Sequence, residues 1–173
     1  MEDSKYVYHG SPTNSFEIVK PKRNIRTQLS KRTHKEEILF DQVSFHATPY
    51  RWIAVAYTYH GNIPFEIDGK MAHYNIGVSL YTNTRKLTIY GFKSLENSLE
   101  RLYGKGGYLY IFDEKDFVHG KGLGNLEVIT KDTVSPLSIE KIDNPIKELK
   151  KMKVDFEFID LSEPKNVEFR NYY

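Results

Sequence analysis

The chain has no cysteine among its 173 residues. That absence excludes disulfides, thiolate nucleophiles and thiolate metal sites, and it leaves the redox compartment open. Histidine would have to hold any zinc. The six histidines (His9, His34, His46, His60, His73 and His119) contain no two-turn pair of the H-E-x-x-H kind, so no metal site is expected. Long hydrophobic runs are missing too: no stretch approaches the length that spans a bilayer, and no membrane partner is expected. Residues 1–8 carry Glu2, Asp3, Ser4 and Lys5 where a secretory signal needs an apolar core. The expectation is a soluble protein, cytoplasmic or otherwise, with secretion by a signal-less route left open. An excess of one charge is also absent, because the formal net charge is only +2, which argues against whole-surface attraction to nucleic acid. No internal repeat or low-complexity segment is visible.

What is present fits one globular domain over residues 1–173, with 39% hydrophobic and 28% charged residues. The charge is unevenly spread. Lys20, Lys22, Arg23, Arg26, Lys31, Arg32 and Lys35 crowd one stretch that could meet phosphates or an acidic surface, or simply be a solvated loop. Residues 20–37 are polar and without period, and are expected to form a long loop, with or without a short helix.

Residues 5–9 read as a short strand broken by Gly10-Ser11-Pro12, and residues 40–45 as another. Thr48 can cap a helix over residues 49–59, which Pro49 can start. Trp52, Ile53, Ala54, Val55 and Ala56 make that helix apolar nearly all round, hence buried. Tyr74, Ile76, Val78 and Leu80 alternate with Asn75, Gly77, Ser79 and Tyr81, and a second strand begins at Leu87 and Ile89, so a hairpin turning at Thr82-Asn83-Thr84 is expected. Ser94 opens a helix with Leu95, Leu99 and Leu102 on one face, and Gly104 stands where a left-handed stop is wanted. Strands over residues 108–112, 126–130 and 154–159 and a helix over 145–152 complete the chain. Strands outnumber helices and several are joined by hairpin-length turns, which gives an α+β class with a mixed, mainly antiparallel sheet.

Three segments can carry chemistry. His9-Gly10 at a strand end presents an imidazole beside a backbone without a side chain, a pair able to bind a ribose hydroxyl and a carboxamide. Tyr57 can stack on a flat heterocycle or simply fill the core. In Asn125-Leu126-Glu127-Val128-Ile129-Thr130 the apolar Leu126 and Val128 face one way, so Glu127 faces the other, where a carboxylate could bind a sugar hydroxyl and stabilise an oxocarbenium-like transition state. The preceding loop over residues 118–124 holds three glycines in five residues but lacks P-loop spacing.

Together these segments resemble the ADP-ribosyltransferase superfamily of the H-Y-E, mono-ADP-ribosyltransferase type: Tyr8-His9-Gly10-Ser11 is similar to its first motif, the stretch from Phe45 to Tyr57 to its second, and Glu127 to the catalytic glutamate of its third. The resemblance spans residues 8 to about 142 and implies a split β-sheet core of that family's kind. It implies an NAD-dependent transfer of ADP-ribose to a macromolecular acceptor, protein or nucleic acid, with release of nicotinamide. His9, Gly10, Ser11 and Thr48 would position NAD, Tyr57 would stack on nicotinamide, and Glu127 would hold the nicotinamide ribose. Ser44-Phe45-His46-Ala47-Thr48 departs from both the aromatic-Ser-Thr-Ser and the Tyr-Phe-Ala forms of the second motif. Asn125 stands two before Glu127, where protein-modifying members often carry Gln or Glu, so the acceptor is not specified. Two alternatives accompany this reading: a catalytically inactive module of the same fold that binds nucleic acid or protein, and an enzyme like the NAD-dependent RNA 2′-phosphotransferases.

Overall fold

The structure, a computed structural model, describes residues 5–15, 17–29, 36–61, 63–81, 84–120 and 124–166. Among them the order is β1 (Tyr6–Ser11), β2 (Lys22–Leu29), β3 (Glu36–Ala47), α1 (Arg51–Ala56), β4 (Pro64–Ile67), β5 (Lys70–His73), β6 (Asn75–Tyr81), β7 (Thr84–Gly91), α2 (Leu95–Tyr103), β8 (Gly107–Asp113), β9 (Val128–Thr130), β10 (Ser138–Ile142), α3 (Pro145–Lys151) and β11 (Val154–Asp160). The class is α+β. Pairing is antiparallel between β2 and β3, β3 and β9, β4 and β5, and β6 and β7, and parallel between β11 and β7. The strand orders are β1-β8-β10, β11-β7-β6, β2-β3-β9 and the pair β4-β5.

The chain divides into two compact units interleaved in sequence. The first comprises Met1–His9, Ser15–Ala54 and Tyr110–Glu140, and the second Gly10–Asn14, Val55–Leu109 and Lys141–Tyr173.

In the first unit the expected loop over residues 20–37 is replaced by β2 and the start of β3, two strands paired from Lys22↔Ser44 to Leu29↔Glu36 with an irregularity between Arg26 and Thr27. The reason it escapes a periodicity reading is physical. Ile25 and Val43, whose register partners Asp41 and Arg23 form a two-bond ion pair at 2.8 and 2.9 Å, are each 53% exposed, so no burial alternation is imprinted on the sequence. Lys31, Arg32 and Lys35 of the basic run lie outside the described residues. Nearer its end, β3 turns Phe45 into a cluster with Phe112 and Phe117, at ring separations of 5.5 and 6.2 Å. Thr48 caps the turn into α1 as expected, its Oγ1 accepting from the Tyr50 amide at 3.1 Å.

In the second unit the β6–β7 hairpin forms as its alternation predicts; Thr82 and Asn83 of its turn lie outside the described residues. β11 adds beside β7 with Phe156 opposite Leu87 and Phe158 opposite Ile89. Leu87, Ile89, Leu102, Leu109 and Leu149 are fully buried in this unit. The β4–β5 hairpin was not expected, although its Asp68-Gly69 turn, with φ of 52° and 74°, is a strong hairpin signal. Ser94 caps α2 by accepting from the Asn97 amide. Gly104 is not a left-handed stop: its φ is −60°, and the left-handed turn is made by Gly106 at +69°. The expected helix over residues 49–59 is shorter. After Ala56 the carbonyl of Val55 is taken by the amide and hydroxyl of Thr58, and the carbonyl of Ala56 by the Tyr103 hydroxyl at 2.7 Å, which ends the helical bonding before Tyr57.

Candidate functional site

Three motif residues meet in the first unit. Tyr8 on β1 and Thr48, just past β3, exchange backbone hydrogen bonds of 2.8 and 2.9 Å, which fixes the end of one strand against the end of the other. His9 follows, and its Nδ1 lies 2.9 Å from the carbonyl oxygen of His46. A carbonyl only accepts, so Nδ1 carries the proton and the neutral ring keeps Nε2 as an acceptor. The ring sits 4.6 Å from Phe45 and 6.3 Å from Tyr110. Burial lowers the His9 pKa below its ordinary 6.5; the hydrogen bond to the His46 backbone opposes that, and the neighbouring His46 charge adds to the lowering. His9 is therefore neutral at pH 7.

The side chain of His46 reaches the other way. Its Nδ1 is 3.4 Å from Glu127 Oε2, and its Nε2 is 3.1 Å from Ser44 Oγ. Ser44 and His46 are two apart on β3 and so share a face. The pairing of Ala47 with Val128 puts Glu127, one residue before β9, diagonally across from His46, a distance that long side chains can close. The imidazole and carboxylate are partly exposed, at 18% and 26%, whereas Ser44 is buried. The resulting chain runs Ser44, His46, Glu127, with His9 attached at the His46 backbone. A carboxylate so held can accept from a sugar hydroxyl and face a developing cation.

Glu127 differs from expectation in one respect. It is not within a strand over residues 126–130 but in the turn before β9, its amide 3.3 Å from the Gly124 carbonyl. β9 itself is buried on both faces, with Val128, Ile129 and Thr130 at 4%, 2% and 3% exposure, so only the residue outside the strand can reach a partly open site. Thr48 is buried and its hydroxyl is engaged with the Tyr50 amide.

Gly10, Ser11 and Tyr57 belong to the second unit. Ser11 is buried and its hydroxyl donates to the Thr13 carbonyl at 2.8 Å. Tyr57 is not a core residue: it follows α1, is 40% exposed, and lies 6.3 Å ring to ring from Tyr59. An exposed phenol beside a second ring is a platform on which a flat heterocycle can stack. An open groove of about 690 Å³ in the same unit is bordered by Ser94, Asn97, Glu100, Tyr103, Asn144 and Lys150, and none of the motif residues lines it. Lys121, Gly122 and Leu123 of the glycine-rich loop lie outside the described residues. Among the described residues no cluster of histidines and carboxylates is placed to hold a metal ion, and no helix is long and apolar enough to cross a membrane.

Ser44 and His46 were missed as functional residues from sequence. The available signal was their period-2 spacing beside the His9 and Glu127 motifs, but which face they occupied depended on pairing with β9. No protein-family model, curated protein or solved structure matches the chain.

Proposed function

We propose that the chain is an NAD-dependent mono-ADP-ribosyltransferase with the split β-sheet of that superfamily. The reading is supported above all by one observation: His9 of the first motif and Glu127 of the third both bond His46 of the second, at 2.9 and 3.4 Å. The Glu127 carboxylate would accept from a hydroxyl of the nicotinamide ribose and stabilise positive charge at C1 as the C–N bond breaks. Nicotinamide leaves with the bonding pair, and a macromolecular nucleophile forms the new bond to C1 and gives its proton to solvent. The neutral His9 would accept from the adenosine ribose through Nε2. Tyr57 belongs to the second unit, and this reading does not rest on it.

The test is nicotinamide release from NAD by the purified protein, alongside titration calorimetry. Millimolar NAD should give heat and a thermal shift, and Glu127→Gln should abolish release. No heat and no shift would remove NAD; unchanged release in the variant would remove Glu127.

A second reading, a nucleic-acid-binding module of the same fold, is favoured by the β2–β3 ribbon. Lys22 is in register with Ser44 and therefore shares the face of His46. That reading requires affinity for RNA or DNA that falls steeply with salt; flat or absent binding rejects it. Consumption of NAD only with 2′-phosphorylated RNA would instead favour the phosphotransferase chemistry.

A further inference from the structure

We infer that His46 is a positioning residue for Glu127, its Nδ1–H tautomer selected by the Glu127 carboxylate and accommodated by the Ser44 hydroxyl behind it. An ionised carboxylate has no proton to give, so the contact between Glu127 Oε2 and His46 Nδ1 requires the proton on Nδ1. A neutral ring with its proton there has a lone pair at Nε2, and the group facing Nε2 at 3.1 Å is the Ser44 hydroxyl, which can donate. Ser44 is 1% exposed, so water does not compete for that bond. The Glu127 contact demands this tautomer, and the Ser44 hydroxyl, able to donate to Nε2, accommodates it.

The backbone of His46 is anchored as well. Its carbonyl accepts from His9 Nδ1 at 2.9 Å, and it pairs with Ile129 in the β3–β9 ladder. The ring therefore projects from a strand fixed on both sides, and its Nδ1–H is a preset donor that selects one orientation of the Glu127 carboxylate. Glu127 needs such a guide because it sits in a turn and not in the ladder. Positioning of this kind acts on the transition state more than on ground-state binding.

The turnover part of the test rests on the ADP-ribosyl transfer reading; the spectroscopic part does not. Ring ¹⁵N shifts of His46 in the whole protein, at a pH where it is neutral, should show a protonated Nδ1 and an unprotonated Nε2. Glu127→Ala removes the acceptor and should move the population toward Nε2–H. A wild-type ring protonated at Nε2, or a tautomer ratio indifferent to Glu127→Ala, overturns the inference without any reference to NAD. In turnover, His46→Asn leaves an amide donor near the Nδ1 position and His46→Gln puts one near Nε2. His46→Ala and His46→Gln should lower kcat/KM about 10- to 100-fold, the range of one charge-assisted hydrogen bond, with the loss mainly in kcat. His46→Asn should recover most of it. Equal or better activity of His46→Gln than of His46→Asn would overturn the inference. Absence of nicotinamide release from the wild type would instead strike the functional reading and leave the tautomer result standing.

Discussion

Replacing Tyr103 by Phe should destabilise the second unit by a predictable amount. The Tyr103 hydroxyl donates to the Ala56 carbonyl at 2.7 Å, and the side chain is 2% exposed. Phe keeps the ring packing and deletes the oxygen, so the change isolates one buried hydrogen bond and leaves a helix-end carbonyl without that donor. Such a loss costs about 1–3 kcal/mol. For a chain of this size, the corresponding fall in Tm is about 2–4 °C per kcal/mol. Urea unfolding should show the midpoint lowered with the slope unchanged. Alkaline pH provides an independent check. Burial pushes the Tyr103 phenol well above its ordinary 10.0, and Tyr59 and Tyr57 push it further. The folded state thus holds a proton that the unfolded chain releases, so stability is retained below pH 10 and is lost as pH rises above it. Tyr103→Phe should flatten that alkaline loss. A destabilisation below about 0.5 kcal/mol, no more than an ordinary surface substitution gives, together with an unaltered alkaline slope would refute the account of how α1 ends.

His9 has its pKa lowered by burial, so the unfolded chain binds a proton that the folded one does not; stability is full above about pH 6.5 and falls as pH drops below it. In His9→Gln, chemical denaturation between pH 7.5 and 5.5 should show a shallower loss than the wild type, and an identical slope would contradict the assignment. At Gly107 an added Cβ would lie 2.5 Å from Thr58 Cβ and 2.9 Å from the carbonyl oxygens of Ser11 and Thr58, so Gly107→Ala should cost about 1–3 kcal/mol or more in urea unfolding. Leu149 is fully buried, and Leu149→Ala should lose about 2–5 kcal/mol by the same measurement, a value near zero being incompatible with its place in the core.

The parts legible in sequence are those written in local chemistry. The β6–β7 hairpin shows its period of two because one face packs and the other does not, and Ser94 and Thr48 announce helix starts because a cap acts within three residues. β2 was illegible because Ile25 and Val43 are exposed opposite a charged pair, so the strand has no apolar period to show. The length of α1 was overestimated because its end is set by Tyr103, some fifty residues further along the chain, and not by any breaker at Tyr57.

For the candidate site, His9 and Glu127 were legible as residue types in suggestive surroundings, and the segment around His46 fitted its motif least. The sequence by itself determined the α+β class, the capped helix starts and the choice of residue types able to bind a sugar and steady a cation. Only the tertiary structure decided that His46 joins them. That junction depends on the β1 end meeting Thr48 and on the register of β3 with β9. Register is a long-range property: shifting it by one residue would turn His46 to the other face, although not one letter of the sequence would change.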